Sequence, residues 1–392
     1  MNRLEWQEDT ASEKISKRFR LYKYISLTVL VVFLLGGLVL FEKDITVENL
    51  RYLIKYLDFS SSGSFEEETE IHYNADVSNR FDVFRGDLVV AGESGVTLYD
   101  RRGTAVLSDR YTMSHPVCVP GDRYLIVYDL GGYQVRLYNS FALLHEKSFD
   151  YAIRSVSVNA DGNFCVVTAE KSYHSAVFVY DDDFEEIHRW LSTDKFAMDA
   201  SLSDEGVLSI SAVRALEGDL VADLIELKIG REEPLSVFTY TDELPLDFSA
   251  SKEGTLLLSE NSLRLIREGV QIREQRFESG SLEKVFFGEE LFVAVQNQLS
   301  VGVNFRVRIF DREGAERVSR DFSVQILDIK TAGDTAYFLT YTGLVTIRTD
   351  GTVREYPLEG EYSSLGVLFE NTVVLCSDAS AQIRILNPSE EE

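Results

Sequence analysis

The hydrophobic and polar positions of this chain repeat. The run Ser175-Ala-Val-Phe-Val-Tyr-Asp181, an apolar stretch closed by an aromatic and an acid, returns in altered form from the first third of the sequence to its end. Its closing residues are Leu98-Tyr99-Asp100, Leu137-Tyr138-Asn139, Val179-Tyr180-Asp181, Leu227-Lys228-Ile229, Leu265-Ile266-Arg267, Ile309-Phe310-Asp311, Ile347-Arg348-Thr349 and Ile385-Leu386-Asn387. The third residues are spaced 39, 42, 48, 38, 44, 38 and 38 apart, so there are eight copies.

Each copy sits among other β-rich runs. In the third unit, Ser155–Val158 leads through the turn Asn159-Ala-Asp-Gly162 into an apolar run from Asn163 to Ala169, and a fourth run, Phe184 to Leu191, follows the repeat. The turn recurs as Ser203–Gly206 and Ser251–Gly254, and more loosely at Pro120-Gly121-Asp122 and Ala332-Gly333-Asp334. A glycine there takes the positive φ that a tight hairpin needs. Four antiparallel strands per ~40 residues, eight times over, predict an all-β, eight-bladed β-propeller. Blades bury both faces against their neighbours, which accounts for unalternated apolar strands such as Leu125-Ile-Val-Tyr128. The β-branched and aromatic enrichment and the glycine turns exclude a helical solenoid, and leave two β-sandwiches as the alternative.

The last unit shows only three strands, Leu365–Phe369, Thr372–Cys376 and Ala381–Leu386, before the chain ends in Asn-Pro-Ser and three Glu. The spare β-like segment Glu70–Asn74, ahead of the first unit, is expected to supply the missing outer strand and close the ring, which removes an exposed edge.

The N-terminal region follows a different pattern. Ile25 to Phe41 runs seventeen residues without a charge; as a helix it spans roughly 26 Å, and with Leu21–Tyr24 and a snorkelling Lys23 it reaches the ~30 Å of a hydrocarbon core. Lys17, Arg18, Arg20 and Lys23 precede it, and Glu42 and Asp44 follow it, a bias that places the N-terminus in the cytoplasm. The long polar leader and the absence of an Ala-x-Ala-like site argue for an uncleaved anchor over a cleaved signal peptide. The expected organisation is a cytoplasmic leader (1–24), a single transmembrane helix (25–41), a juxtamembrane helix and acidic linker (42–69) and an extracytoplasmic propeller (70–392). Thr46 is placed to cap that short helix, with Val47, Leu50, Leu53, Ile54 and Leu57 on one face.

Charge narrows the partners. The chain holds 39 Lys and Arg against 65 Asp and Glu, a net charge of -26, and residues 42–392 hold 33 against 61. That field repels phosphate backbones and argues against nucleic acid. Three Cys, at 118, 165 and 376, lie in apolar runs and read as buried free thiols. The chain after the span has no Asn-x-Ser/Thr acceptor except Asn387-Pro-Ser, which its Pro bars.

The repeat resembles those of quinoprotein-like, YVTN and WD40-type propellers. The layout of basic leader, span, linker and propeller is similar to a family of uncharacterised, membrane-anchored propellers of Gram-positive bacteria. The resemblance carries no catalytic motif. WD40 Gly-His and Trp-Asp pairs, quinone-enzyme docking motifs with a terminal Trp, adjacent Cys residues and sialidase boxes are all missing, and Trp190 falls in an outer strand.

No chemistry stands out. His72, His115, His145, His174 and His188 show no metal-ligand spacing, and Asp181-Asp-Asp183 with Glu185-Glu186 lacks the glycine and alternation of a calcium loop. Gly-x-Ser-x-Gly, P-loop and Cys/His nucleophile arrangements are not present. The expectation is a binding protein without catalytic residues, cofactor or metal. Two units are longer than the rest, and both excesses fall between second and third strands: Arg214-Ala-Leu-Glu217-Gly-Asp219, and Gln296-Asn297-Gln298 continuing to Gly302. Arg214, Glu217, Asp219, Gln296, Asn297 and Gln298 are the candidate binding residues, since binding concentrates on such loops. The expected role is a scaffold or sensor for a membrane or cell-envelope protein. The alternative is a cell-wall glycan-binding or glycan-cleaving propeller working through carboxylates in its central funnel.

Overall fold

A computed structural model describes residues 28–29, 68–75, 79–298, 304–369 and 371–386. Compact units divide between Ser64 and Phe65. Residues 28 and 29 are helical; the rest of the expected span 25–41, the expected helix at 47–57 and the linker as far as residue 67 lie outside the described residues, while Glu68 and Thr69, expected to end the linker, are strand. Among the described residues no helix is long and apolar enough to cross a membrane.

From Glu68 onward the described residues form eight four-stranded antiparallel sheets. Each is one blade, and the first strands of successive blades adjoin one another around the ring. Blade 3 is typical: Ser155–Val158, Phe164–Glu170, Tyr173–Tyr180 and Glu186–Ser192 pair in that order. The repeat Ser175–Asp181 is therefore the third strand of the third blade, as its rhythm predicts.

Alternation explains why these strands are apolar throughout. Cys165, Val167, Val177 and Val179 pack against Leu208, Ile210 and Leu227 of blade 4, whereas Val166, Ala176, Phe178 and Tyr180 pack against Ile126 and Leu137 of blade 2. Successive side chains point to opposite faces, and both faces are covered. Full burial of each Val, Leu or Ile contributes about 1.5–3 kcal/mol.

The acid that closes the repeat has a local task. Asp100, Asp181 and Asp311 each accept backbone N–H bonds on Oδ1 from residues two and four positions on, at 2.9–3.1 Å, and Asn139 accepts from Phe141 and Ala142. These side chains tie down the turn to the outer strand, which is why Asp and Asn recur there. Glycine is required at the first turn as well. Gly254 sits at φ +125°, and a Cβ there would lie 2.6 Å from the Ile266 carbonyl oxygen.

Ring closure occurs as expected, with a shift in register. The last blade comprises Ser364–Phe369, Thr372–Cys376 and Ser380–Ile385, and its outer strand is Glu68–His72 from the other end of the domain. The strand begins and ends two residues earlier than the expected 70–74. Tyr73 has left the ladder: its N–H donates to the Ala379 carbonyl (3.1 Å), and its hydroxyl reaches the Ser377 and Ser380 carbonyls (2.6 and 2.7 Å).

Candidate functional site

The strands of a blade alternate in direction, so the second-to-third turns and the connections from one blade to the next emerge on one face of the ring. Over blades 2 to 5 that face exposes Leu130, Tyr133, Tyr151, Phe196, Met198, Leu216, Leu244 and Leu246. Two of these are pushed out by the backbone. Met198 and Leu246 are the extra residues where the innermost strands Phe196–Leu202 and Pro245–Ser251 shift register against their partners, and an unpaired residue turns its side chain away from the ladder. Bonds across the face hold the segments around Leu130, Tyr133, Tyr151 and Phe196. Gly131 N–H donates to Ile153 O and Phe149 N–H to Tyr133 O, both at 2.8 Å, and the His174 ring stacks on Phe196 at 4.8 Å. Scattered exposed apolar residues are ordinary; several on one face of adjoining blades make that face a candidate interaction surface.

The two long units take different forms. In blade 4 the excess is strand: Val207–Leu216 and Asp219–Lys228 pair without a break to Leu216↔Asp219. Glu217 and Gly218 both hold positive φ, +55° and +99°, the turn geometry that lets a two-residue hairpin keep its twist. Arg214 lies within this hairpin and donates from Nε to Asp223 Oδ2 at 2.8 Å. Asp223 is 2% exposed and also holds Lys195 and Thr239 Oγ1. Burial raises its pKa, but the bonds from Arg214, Lys195 and Thr239 outweigh that and hold the carboxyl below its ordinary value. Glu217 and Asp219 are exposed at the hairpin tip.

In blade 6 the candidates do come together. Gln296, Asn297 and Gln298 line a cleft of about 640 Å³ with Ser281, Asn304, Arg276, Arg306 and Arg308; residues 299–303 lie outside the described residues. Gln296 Nε2 donates to Ser281 Oγ (2.9 Å) and Asn297 N–H to the Ser281 carbonyl (2.7 Å). Arg306 forks onto Asp321 at 2.8 and 3.1 Å. Every lining side chain is polar. Arg214, Glu217 and Asp219 do not line this cleft.

The innermost strands hold a feature that the sequence marks only as an Asp between two apolar residues, in Phe81-Asp82-Val83, Met198-Asp199-Ala200, Leu246-Asp247-Phe248 and Leu327-Asp328-Ile329. Asp82, Asp199, Asp247 and Asp328 each accept, on Oδ1, the N–H of the next residue at 2.8 Å. Asp328 Oδ2 also takes Ser364 Oγ (2.9 Å) and Leu365 N–H (2.8 Å) of the next blade, so this carboxylate pins two inner strands together. Burial raises the pKa of Asp82 and Asp199. Asp247 is pushed up to about 6 by burial, with the charge of Asp199 on the adjoining blade adding to it. Among the described residues no three His, Cys, Asp or Glu are placed to hold a metal ion.

Arginines form a second pattern that the sequence hides. Arg136, Arg264 and Arg308 stand one residue before the quoted repeat, and each reaches back toward the preceding blade. Their guanidinium carbons lie 5.7, 4.9 and 5.2 Å from the ring centres of Tyr111, Tyr240 and Phe277. Arg136 pairs with Asp109 (2.6 Å), Arg264 with Glu243 (3.1 Å), and Arg308 donates to the Arg276 carbonyl (3.0 Å). The cysteines are free, Cys165 and Cys376 fully buried and Cys118 partly so; burial pushes the Cys165 thiol up to about 12, which makes it an unreactive core residue.

A closed ring of eight four-stranded blades makes this a β-propeller, a class whose members commonly mediate protein interactions. The chain belongs to the family of unknown function DUF5711, which matches residues 60–383. No curated protein matches the sequence. Among solved structures it is similar to BamB from Moraxella catarrhalis, at a TM-score of 0.50 and 12% identity over 82% of this chain and 98% of that one. The WD40 domain of Neurospora crassa Pan2 gives a TM-score of 0.45 at 9% identity, over 80% of this chain and 89% of that one. At such identities the likeness shows the fold alone.

Proposed function

We propose that this chain is a single-pass, membrane-anchored propeller that docks a protein of the cell envelope on its apolar face, as a scaffold or sensor outside the cytoplasm. The observation that carries the reading is the group of exposed Leu, Tyr, Phe and Met side chains on the connecting face of blades 2 to 5. The uncharged run Ile25–Phe41 with basic residues before it supports the anchor, and the acidic chain beyond it suits a soluble extracytoplasmic domain. Docking at this face uses neither cofactor nor catalytic residue. Crosslinking in intact cells followed by mass spectrometry tests it: one or a few envelope proteins should be recovered repeatedly, and recovery of no specific protein counts against it.

A glycan-directed reading has one observation in its favour. Asp199 and Asp247 lie on adjoining innermost strands with the second carboxyl raised toward neutrality, the disposition of an acid–base pair. Binding or cleavage of purified cell-wall fragments that is lost in Asp247→Asn is the result that would support it over protein docking.

A further inference from the structure

The outermost strand of each blade ends its sheet and leaves a row of backbone N–H and C=O groups without a ladder partner. Proteins guard such edges with charges, bulges or proline. Seven of the eight outer strands here are guarded. Each carries at least two Asp, Glu, Lys or Arg residues. Five, in blades 1, 2, 3, 5 and 6, also break register with a bulge near their start. The outer strand of blade 7 ends in Pro357.

Blade 4 is the exception. Its outer strand, Ser236–Thr241, reads Ser-Val-Phe-Thr-Tyr-Thr, with no charge and no proline. It pairs with its inner neighbour from Val221↔Thr241 to Glu226↔Ser236 without a register shift. Phe238 and Tyr240 stack on each other at 5.8 Å and pack against the core shared with blade 5. Val237, Thr239 and Thr241 are exposed. Blade 5 approaches the Ser236 end, where a Cβ on Gly269 would meet the Ser236 Cβ at 3.2 Å and the Val237 carbonyl oxygen at 3.5 Å. The strand is unbulged, rich in β-formers and uncharged, the form that accepts an added strand.

The flanks select the occupant. Arg231, Glu232, Glu233 and Pro234 precede the strand and Asp242 follows it; Glu232, Glu233 and Asp242 are exposed, whereas Glu243 is held by Arg264 at 3.1 Å. An antiparallel pair of two copies brings Glu232–Glu233 of one beside Asp242 of the other, and a parallel pair sets each acidic end beside its own copy. Like charges oppose both arrangements. A strand with an uncharged centre and Lys or Arg at both ends meets neither penalty.

We propose that Ser236–Thr241 takes up an extended segment of a partner protein as a fifth strand of blade 4, and that this segment alternates β-formers at its centre and is basic at both ends. The site is the outer edge of blade 4, whose Asp242 end leads to Leu244 of the apolar face; it draws on neither that face nor the membrane anchor, and stands whether or not those readings hold. The probe is a fluorescent peptide, Lys-Lys-Thr-Val-Thr-Val-Thr-Lys-Lys, titrated against the full chain in detergent and followed by anisotropy. Saturable binding is expected. It should weaken at least about tenfold with glutamate in place of the lysines, with alternate backbone nitrogens methylated, and in the variant Val237→Lys, which adds the missing guard at an exposed position. Thr241→Lys serves as a second variant if Val237→Lys lowers the melting temperature. Absence of binding by the lysine-flanked peptide overturns the proposal, as does equal binding by the methylated peptide or by a folded lysine variant.

Discussion

Ile71 and Ala381, 310 positions apart in sequence, face each other in register across the last blade, both buried to within 1% of their surface. The pair is the seam of the ring. On one side stands a strand contributed before the first blade, on the other a blade that has only three strands of its own. Ile71 packs with Leu88 and Val90 of blade 1 and with Val374 of blade 8, so the seam joins the first and last blades as well as the two ends of the domain.

Loss of the seam should cost stability throughout the ring. Deleting residues 66–75 removes the whole outer strand and the Tyr73 bonds, and is expected to lower the melting transition cooperatively. Ile71→Ala alone should cost about 2–4 kcal/mol as a cavity in a packed core, and Tyr73→Phe about 1 kcal/mol for a hydroxyl bond lost at a partly buried position. Thermal melts of the three variants give the order, and an unchanged curve for the deletion contradicts the closure.

Asp247 predicts a pH dependence of unusual sign for a carboxylate. Its folded pKa of about 6 lies above the ordinary 3.8, so between these values the folded chain holds a proton that the unfolded chain has released. This group therefore favours folding at pH 4 and disfavours it progressively as the pH rises to 7. Asp247→Asn keeps an oxygen for the Phe248 N–H and carries no charge. It should stabilise the domain at pH 7 by on the order of 2–3 kcal/mol and leave it little changed at pH 4. Chemical denaturation at the two pH values makes the comparison, and equal effects at both would exclude the assignment.

Asp223 behaves in the opposite sense. Its carboxyl is held below the ordinary range, so its contribution is present above pH 4 and lost as the pH falls through the folded value. Asp223→Asn leaves Lys195 and Arg214 facing each other without the acid and should cost about 3 kcal/mol at pH 7. Arg214→Ala, which leaves Lys195 on the carboxylate, should cost nearer 1 kcal/mol. If Arg214→Ala proves the more damaging, the carboxylate is not the centre of the cluster.

Strand count, blade number and the origin of the closing strand are legible in the sequence because each depends on local signals: an apolar strand, a turn glycine, the Asp or Asn that caps the outer turn. Two features depend on what meets across blades and leave no such mark. Arg264 reads as one basic residue in an apolar strand, and its ring, Tyr240, stands 24 positions earlier in another blade. Asp199 and Asp247 each read as an acid between two apolar residues, and only the ring sets them on adjoining strands. The Arg214–Asp219 segment reads as a loop because its length exceeds the repeat; the positive φ of Glu217 and Gly218 converts that length into strand. Gln296, Asn297 and Gln298 are found together because consecutive positions at a strand end share one cleft.

The docking face is the central claim, and position-resolved photo-crosslinking in intact cells tests it most directly. A photoreactive residue at Tyr133, Tyr151 or Leu246, all exposed on the connecting face, is compared with one at Leu143 in the outer strand of blade 2, also exposed. The account predicts that the three positions on the face trap the same envelope protein and that Leu143 does not. Trapping at Leu143 with none at the other three positions would contradict it.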